Sequence, residues 1–138
     1  MEQSCLFCKI IAGDIPAEKV YEDEHTLAFL DIHPTSMGHM LVAPKAHFEN
    51  IYTLPDDVAG KFFVTTKKIA AAVKEAVGAD GVNIHMNNDP AAGQIIFHAH
   101  IHIIPRFLGD GFEHWQGARD YNEGEAVRIA ESIRTKLL

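Results

Sequence analysis

The chain has 138 residues, of which 47% are hydrophobic and 22% are charged, the composition of an ordinary globular protein. This length supports one domain with a hydrophobic core and is short for two. The formal net charge of −7 argues against a protein that coats nucleic acid through a broad basic surface. A small phosphorylated ligand stays compatible with that charge, because the local field of a pocket can oppose it.

No apolar run approaches the roughly 18 residues that a membrane span requires. The first residues, MEQSCLFCKI, lack the pattern of a signal peptide. The sequence therefore predicts a cytoplasmic location without a membrane partner.

A short helix and a β-hairpin are predicted near the N-terminus. Ser4 is expected to cap the helix through CLFCKIIA and Gly13 to end it, since serine favours N-caps and glycine favours left-handed C-caps. The segments KVYED and TLAFLDI flank the polar residues Asp23, Glu24 and His25, which indicates the two strands and the turn of the hairpin.

A third strand and a long helix follow. GHMLVAP indicates a strand stopped by Pro44. The stretch from Asp56 to Val77 follows Pro55 and precedes Gly78, and these two residues predict its ends. One helical face carries the apolar side chains Val58, Phe62, Ile69 and Val73.

The segment GVNIHMN alternates again, with Val82, Ile84 and Met86 on one face and Asn83, His85 and Asn87 on the other. NDPAAG is then a turn or loop. Asn122 and Glu125 resemble a capping box that opens a last helix. Its narrow apolar stripe comprises Ala126, Ile129, Ala130, Ile133 and Leu137.

The segment GQIIFHAHIHIIPR predicts a strand stopped by Pro105, because β-branched and aromatic residues dominate it. Successive side chains on a strand point to opposite faces, so His98, His100 and His102 share one face. The other face is apolar and should meet the core through Phe97, Ala99, Ile101 and Ile103. Five strands with one long central helix indicate an α+β fold with a mostly antiparallel sheet.

Three imidazoles on one face indicate metal binding, acid–base chemistry or nucleophilic chemistry; three solvated surface histidines are the alternative. A single ion cannot bind all three on a straight strand. The Cβ atoms of His98 and His102 would lie ~13 Å apart, whereas a zinc–nitrogen bond is ~2.1 Å long. At least one of these histidines therefore has another role.

Cys5 and Cys8 form a C-x-x-C pair close to the N-terminus. In a reducing compartment such a pair indicates metal binding or redox chemistry more often than a structural disulfide. A redox motif should follow a strand and open a long helix, which this pair does not. Half of a zinc site is the favoured interpretation, with two buried packing residues as the alternative.

The histidine segment resembles the His-φ-His-φ-His-φ-φ signature of the histidine triad (HIT) superfamily, where φ is hydrophobic. Two further segments resemble its Hint-like bacterial branch: CLFCKIIAGDIPAEKVYEDE and LDIHPTSMGHMLVAPKAHFENI. The resemblance covers about residues 4–110, whereas the C-terminal helix extension over residues 122–138 carries no comparable signature. The resemblance implies a single HIT domain over residues 1–138.

The resemblance implies a nucleotide hydrolase or transferase that acts on the α-phosphate of purine nucleotide conjugates, phosphoramidates in particular, through a covalent nucleotidyl-histidine. His100 matches the nucleophile. His98 and His102 flank it, where they would donate hydrogen bonds to phosphate oxygens, with His102 on the leaving-group side. It also implies a homodimer and no organic cofactor.

For the nucleotide, the resemblance implies a purine pocket of Leu6, Phe7, Ile10 and Phe29, a ribose contact at Asp31, and a phosphate environment that includes Asn87, Gln94 and His39. Without the resemblance, the four apolar residues of this pocket would be interpreted as part of the hydrophobic core. Ile95 stands where many members have a serine that contacts phosphate. A structural zinc is implied at Cys5, Cys8, His47 and His98, a chemically reasonable Cys₂His₂ set.

Three alternatives stay open. One is a dinucleoside polyphosphate hydrolase with the same nucleophile. Another is a regulatory protein that binds nucleotides and has weak catalysis. A sugar-1-phosphate nucleotidyltransferase is disfavoured, because those relatives generally replace the last histidine of the triad and His102 is present.

Overall fold

A computed structural model describes residues 4–113, 115 and 117–137. Its strands are β1 (Lys19–Glu22), β2 (Thr26–Leu30), β3 (Met40–Pro44), β4 (Gly81–His85) and β5 (Ile101–Arg106). They form one sheet in the order β1-β2-β3-β5-β4, with every neighbouring pair antiparallel. The helices are α1 (Leu6–Ala12), α2 (Asp56–Val77) and α3 (Glu125–Leu137). The predicted α+β class is confirmed.

The long helix α2 covers one face of the sheet. Its ends are those that the sequence predicts, with Pro55 as N-cap and Gly78 as a left-handed C-cap at φ 65°. The helix buries its apolar face against alternate side chains of the central strands, which is the packing that gives this sheet a core. This main core comprises Ala28, Met40, Val42, Phe62, Ile69, Val73, Ile101 and Ile103.

The opposite face of the sheet is covered only in part, by α1. A second apolar cluster lies there, built from Cys5, Phe7, Cys8, Ile10, Leu27, Phe29 and Leu41. Strand alternation explains the division, because Leu27 and Phe29 point away from α2 while Ala28 points towards it. The part of this face that α1 leaves open is where a ligand can approach the sheet.

The strand expected through the whole histidine segment is shorter than predicted. β5 begins at Ile101, so His98 and His100 precede it. The chain bends over residues 96–98, and the backbone N–H of Ala99 donates to the Phe48 carbonyl at 2.7 Å, outside the ladder of the sheet. Ala99 is buried as predicted, but Phe97 is 43% exposed rather than part of the core.

Pro44 ends β3 as predicted, whereas β5 continues one residue beyond Pro105, to Arg106. β3 pairs with β5 only from residues 101 to 103, so β5 has one neighbouring strand at Pro105. A strand with a single neighbour tolerates a residue without a backbone N–H.

The N-cap of α1 is Cys5 rather than the predicted Ser4, since the Cys5 Sγ accepts the backbone N–H of Cys8 at 3.4 Å. At the other end of the chain, half of the expected capping box is present. The backbone N–H of Asn122 donates to the Glu125 carboxylate at 3.2 Å, while the Asn122 backbone carbonyl accepts the Glu125 N–H.

The predicted apolar stripe of α3 is largely exposed among the residues that the structure describes. None of the residues described in α3 is buried, and Ile129 and Ile133 are 46% and 55% exposed. Ile84 on β4 is also more exposed than its alternation predicts, at 42%. Within the described residues, no helix is both long and apolar enough to cross a membrane.

Candidate active site

A cavity of about 520 Å³ lies on the face of the sheet that α2 does not cover. This volume is in the range of small-molecule sites. The cavity brings together most of the residues that the sequence singled out, namely Leu6, Phe7, Ile10, Phe29, Asp31, Asn87, His100 and His102. Residues far apart in sequence meet there because α1, the end of β2 and the start of β5 lie side by side.

One half of the cavity is apolar. The rings of Phe7 and Phe29 meet edge to face with centroids 5.4 Å apart, and Phe7 contacts the ring of His100 in the same way at 4.8 Å. The sequence reasoning missed Ile15 and Leu41, which also line this half. Alternation along β3 would have placed Leu41 on the same face as Phe29.

His100 stands at the end of the apolar half with a defined tautomer. Its Nδ1–H donates to the backbone carbonyl of His98 at 2.6 Å, which leaves Nε2 with a free lone pair. Burial is the main cause that lowers the pKa of His100 below its ordinary value. The side chain is therefore neutral at pH 7 and equipped to act as a nucleophile.

A hydrogen-bonded chain leads from the backbone to His102. The backbone N–H of Thr35 donates to His39 Nδ1 at 3.0 Å, so the proton of neutral His39 lies on Nε2. His39 Nε2–H donates in turn to His102 Nδ1 at 2.9 Å. Because His102 accepts at Nδ1, its own proton lies on Nε2, ready to donate to a ligand.

Burial keeps this pair neutral. It lowers the pKa of His102 to about 4, with the neighbouring His100 and His39 acting in the same direction. Burial also lowers the pKa of His39, which is 5% exposed. His39 does not line the cavity, so it acts behind His102 rather than on the ligand.

Asp31 lies at the edge of the cavity. One carboxylate oxygen accepts the backbone N–H of His33 at 2.8 Å, and the other is 3.6 Å from His39 Nε2. The carboxylate, His39 and His102 lie close enough together to be considered a metal site. A metal at His39 Nε2 would move the ring proton to Nδ1, against the N–H of Thr35, so the donor set fits a hydrogen-bonded chain instead.

The side chain of Gln94 does not reach the cavity, contrary to its predicted position near the phosphate. Its amide nitrogen donates to the carbonyls of Glu49 and Ile96 at 2.6 and 3.1 Å, and its oxygen accepts the N–H of Asp89 at 2.9 Å. These bonds hold the loop in place. Gly93 and Ile95, on either side of Gln94, line the cavity in its stead.

His98 is fully buried and also lies outside the cavity. Its Nε2–H donates to the Pro44 carbonyl at 2.7 Å, and burial lowers the pKa of His98 to about 4. Both ring nitrogens face protein groups outside the cavity, so the expected contact between His98 and phosphate is not available. Its effect on the cavity passes through its backbone carbonyl, which holds His100.

The remaining nitrogen of His98 faces a cluster of metal-ligand type. His98 Nδ1 lies 3.5 and 3.6 Å from the sulfurs of Cys5 and Cys8, and His47 Nδ1 lies 3.3 Å from the Cys8 sulfur. A tetrahedral zinc ion separates sulfur and nitrogen ligands by ~3.6 Å. The four residues predicted from the sequence therefore meet with spacings and donor types that fit zinc.

The sheet places the paired imidazoles of His100 and His102 at the end of an apolar cavity. Such a site suits a ligand that has one apolar part and one polar part where a reaction takes place. The chain belongs to the HIT family, whose domain model matches residues 12–109. A relative from Bacillus subtilis, the Protein hit, is 49% identical over an alignment that covers 98% of this chain and 95% of that protein.

Two relatives carry the names of nucleotide hydrolases. An adenylylsulfatase of Arabidopsis thaliana is 44% identical over 99% of this chain and 71% of its own length. An adenosine 5′-monophosphoramidase of Schizosaccharomyces pombe is also 44% identical, over 75% of this chain and 74% of its own.

Solved structures share the fold. A crystal structure of a Streptococcus mutans protein superimposes with a TM-score of 0.94 at 44% identity, covering all of this chain and 88% of the other. A zinc-bound histidine triad protein of Mycobacterium smegmatis superimposes with a TM-score of 0.76 at 38% identity, covering 97% and 95% of the two chains.

Proposed function

We propose that this protein hydrolyses purine nucleotide conjugates at the α-phosphate, with His100 as a covalent nucleophile. The observation that carries the proposal is the tautomer of His100, whose Nε2 is free and whose ring lies against both Phe7 of the apolar half and His102. Relatives named adenylylsulfatase and adenosine 5′-monophosphoramidase support the same type of substrate.

The reaction takes two displacements. His100 Nε2 forms a bond to the α-phosphorus as the bond from phosphorus to the leaving group breaks, and the leaving group departs with the bonding electron pair. The N–H of His102 donates a hydrogen bond to the departing atom and so stabilises its developing charge. Water then displaces His100. The hydroxyl of the water stays on phosphorus, and the electron pair of the phosphorus–nitrogen bond returns to His100 Nε2. The other proton of the water is released to solvent, which balances the proton that the leaving group takes up from solvent as it departs.

Single-turnover kinetics test the nucleophile. His100→Ala is expected to lower kcat by at least about 10³-fold, because it removes the atom that forms the covalent bond. Purine nucleotides should still bind to the variant. Acid-quenched wild type should carry a nucleotidyl group on His100 by mass spectrometry. Exposed His25→Ala, in the hairpin turn, serves as the control.

An adduct mapped to His102, or a His100→Ala variant with wild-type rates, would refute the mechanism. Comparison of adenosine 5′-phosphoramidate with diadenosine polyphosphates then separates the leading proposal from the dinucleoside polyphosphate hydrolase. A wild type that binds nucleotides but turns over neither substrate would favour the regulatory alternative.

We propose that the nucleoside of the substrate binds at Phe7, Phe29 and Asp31. A carboxylate at the cavity edge, already oriented by the N–H of His33, can accept hydrogen bonds from the ribose hydroxyls. Buried polar groups strongly reject an analogue that leaves them unpaired. Substrates without the 2′- or 3′-hydroxyl should react poorly with the wild type, and Asp31→Ala should erase much of that preference.

We further propose that Cys5, Cys8, His47 and His98 bind a structural zinc ion. The fit of the four ligand atoms to tetrahedral spacing supports this, as does the zinc-bound relative of Mycobacterium smegmatis. The ion would lie behind the triad rather than in the cavity. His100 and His102 would thus stay free for the reaction.

A homodimer is proposed as the assembly. α3 supports it, because an isolated helix of 13 residues is marginal in water, yet this one exposes its apolar stripe. Sedimentation equilibrium should give about twice the mass of 15.3 kDa. Ile129→Lys with Ile133→Lys should shift the protein towards the monomer if α3 contributes to the contact, whereas Arg128→Lys should not.

A further inference from the structure

Four residues on four different strands form a cross-sheet row. Phe29 on β2 is paired with Leu41 on β3, Leu41 with His102 on β5, and His102 with His85 on β4. Directly opposed residues of antiparallel strands point to the same face of the sheet. All four side chains of the row are therefore on the face that carries the cavity.

The row changes in character along its length. Phe29 and Leu41 line the apolar half of the cavity, and His102 lines its polar end. Adjacent strands lie ~4.8 Å apart, so His85 begins about one strand spacing beyond His102, on the side away from the apolar half. His85 is exposed and belongs to the edge strand.

Electrostatics agree with this placement. A positive charge on His85 acts to lower the pKa of His102 and also that of His39. The three imidazoles are thus close enough for charge on one to be felt by the others. Asp31, the carboxylate that opposes this effect, lies near His39 at the other side of His102.

The orientation of the substrate along the cross-sheet row suggests a role for His85. With the base at Phe29 and Leu41 and the phosphorus beside His100, the leaving group lies next to His102. The next side chain along the row is His85. We propose that His85 determines specificity for leaving groups that carry their own negative charge, such as a sulfate, a phosphate or a carboxylate, by donating a hydrogen bond to that charge. This inference rests on the proposed function.

The chemistry suits the position. Hydrogen bonds that involve a charged partner are shorter and stronger than neutral ones, and an imidazole presents an N–H in either protonation state or tautomer. The chain as a whole carries a net charge of −7, which disfavours an anionic substrate unless a local donor opposes it. His85 supplies such a donor outside the apolar pocket, where a neutral leaving group would not need one.

A matched pair of substrates tests this. Adenosine 5′-phosphoramidates of alanine and of alaninamide differ at the free carboxylate, and adenosine 5′-phosphosulfate adds a second type of anion. His85→Gln is expected to lower kcat/KM for the alanine conjugate and for the phosphosulfate by about tenfold, the size of one charge-assisted hydrogen bond. The alaninamide conjugate should change less than about twofold.

His85→Lys should restore the preference for the anionic substrates, since it replaces the donor with a fixed positive charge. His25→Gln, in the distant hairpin turn, should leave every ratio unchanged. If both anions respond, His85 recognises negative charge in general, whereas a response of the alanine conjugate alone restricts the proposal to carboxylates.

An unchanged ratio of alanine to alaninamide conjugate in His85→Gln would overturn the inference while leaving the proposed function intact. So would an equal loss on all substrates with an altered sedimentation coefficient, which would place His85 in a subunit contact instead. A wild type that hydrolyses none of the three substrates would overturn the proposed function and this inference together.

Discussion

In each histidine of the triad, one ring nitrogen forms a hydrogen bond with a neighbouring group of the protein. This bond determines whether the other ring nitrogen carries a proton or a free lone pair. His98 donates to the Pro44 carbonyl, so its Nδ1 faces the sulfurs of the cysteine pair. His100 donates to the His98 carbonyl, so its Nε2 keeps a free lone pair. His102 accepts from His39, so its Nε2 carries a proton. Three identical side chains thereby acquire three different chemistries.

His39→Ala is predicted to lower kcat by about 10- to 100-fold with little change in KM, because His102 loses the partner that fixes its tautomer. Binding of the nucleoside should persist, since His39 does not line the cavity. His39→Gln, whose amide can still donate to His102, should recover part of the rate. Steady-state kinetics check this; a change confined to KM would contradict the positioning role.

Burial of neutral His102 predicts a pH dependence of stability. The pKa of His102 in the folded protein is lowered to about 4, so between that pH and the ordinary histidine value of ~6.5 only the unfolded chain binds the proton. The free energy of unfolding should therefore fall as the pH falls through this window, by about 1.4 kcal/mol per pH unit for one such group.

Urea unfolding of the wild type and His102→Gln between pH 7 and pH 5 measures this contribution. The variant should lose less stability over the same interval, because it lacks the group that titrates. His25→Gln is the control and should retain the wild-type slope. Equal slopes for wild type and His102→Gln would show that His102 is protonated equally in both states.

At the scale of elements, the turn between β2 and β3 positions His39. The backbone of this turn lies close to the end of α2. Gly38 has φ 91°, and a Cβ there would lie 2.9 Å from Val77 Cγ1 at the end of α2 and 3.4 Å from Pro105 Cγ. Glycine is the residue that meets both requirements, the left-handed backbone and the absence of a side chain. The turn therefore packs against α2 and β5 at the point where it presents His39.

Gly38→Ala is predicted to lower the free energy of unfolding by about 2 kcal/mol, through backbone strain and overpacking against Val77. Gly60→Ala is the matched control. Gly60 lies inside α2, and a Cβ added there would meet no atom within 4 Å, so alanine should stabilise by up to ~1 kcal/mol. Denaturant titration compares the two, and equal effects of the same sign would contradict the packing argument.

At the scale of the whole molecule, the cysteine and histidine cluster joins three separate parts of the chain. Cys5 and Cys8 belong to the start of α1, His47 to the segment after β3, and His98 to the bend before β5. α1 also supplies Leu6, Phe7 and Ile10 to the cavity wall. Zinc bound at this cluster would hold that wall against the segment before β5 that carries His100.

Removal of the metal by a chelator, or Cys8→Ser, is predicted to lower Tm by about 10 °C, because structural zinc contributes folding free energy directly. Elemental analysis should find about one zinc per chain in the wild type and a clear loss in the variant. Ser4→Ala, adjacent to the cluster but not a ligand, should keep both metal and Tm. Metal-free protein with an unchanged Tm would leave the cysteines as packing residues.

The sequence alone determined the elements whose causes are local. Proline before and glycine after a run of helical period predict the ends of α2, and alternation predicts the strands on which Phe29 and His102 lie. The resemblance of three sequence segments to the HIT family singled out most residues of the cavity. These predictions succeed because helix ends and strand faces depend on residues a few positions apart.

Contacts between distant segments decided the rest. The Phe48 carbonyl draws Ala99 out of the ladder and shortens β5, and the Pro44 carbonyl turns His98 away from the cavity. The distant backbone carbonyl of Glu49 accepts a hydrogen bond from the amide of Gln94, which the nearby carbonyl of Ile96 also accepts. In each case a backbone carbonyl far along the chain accepts the hydrogen bond that the sequence had suggested for the sheet or for the ligand. A buried polar group bonds to the partner that the fold brings within reach, and the local sequence does not reveal that partner.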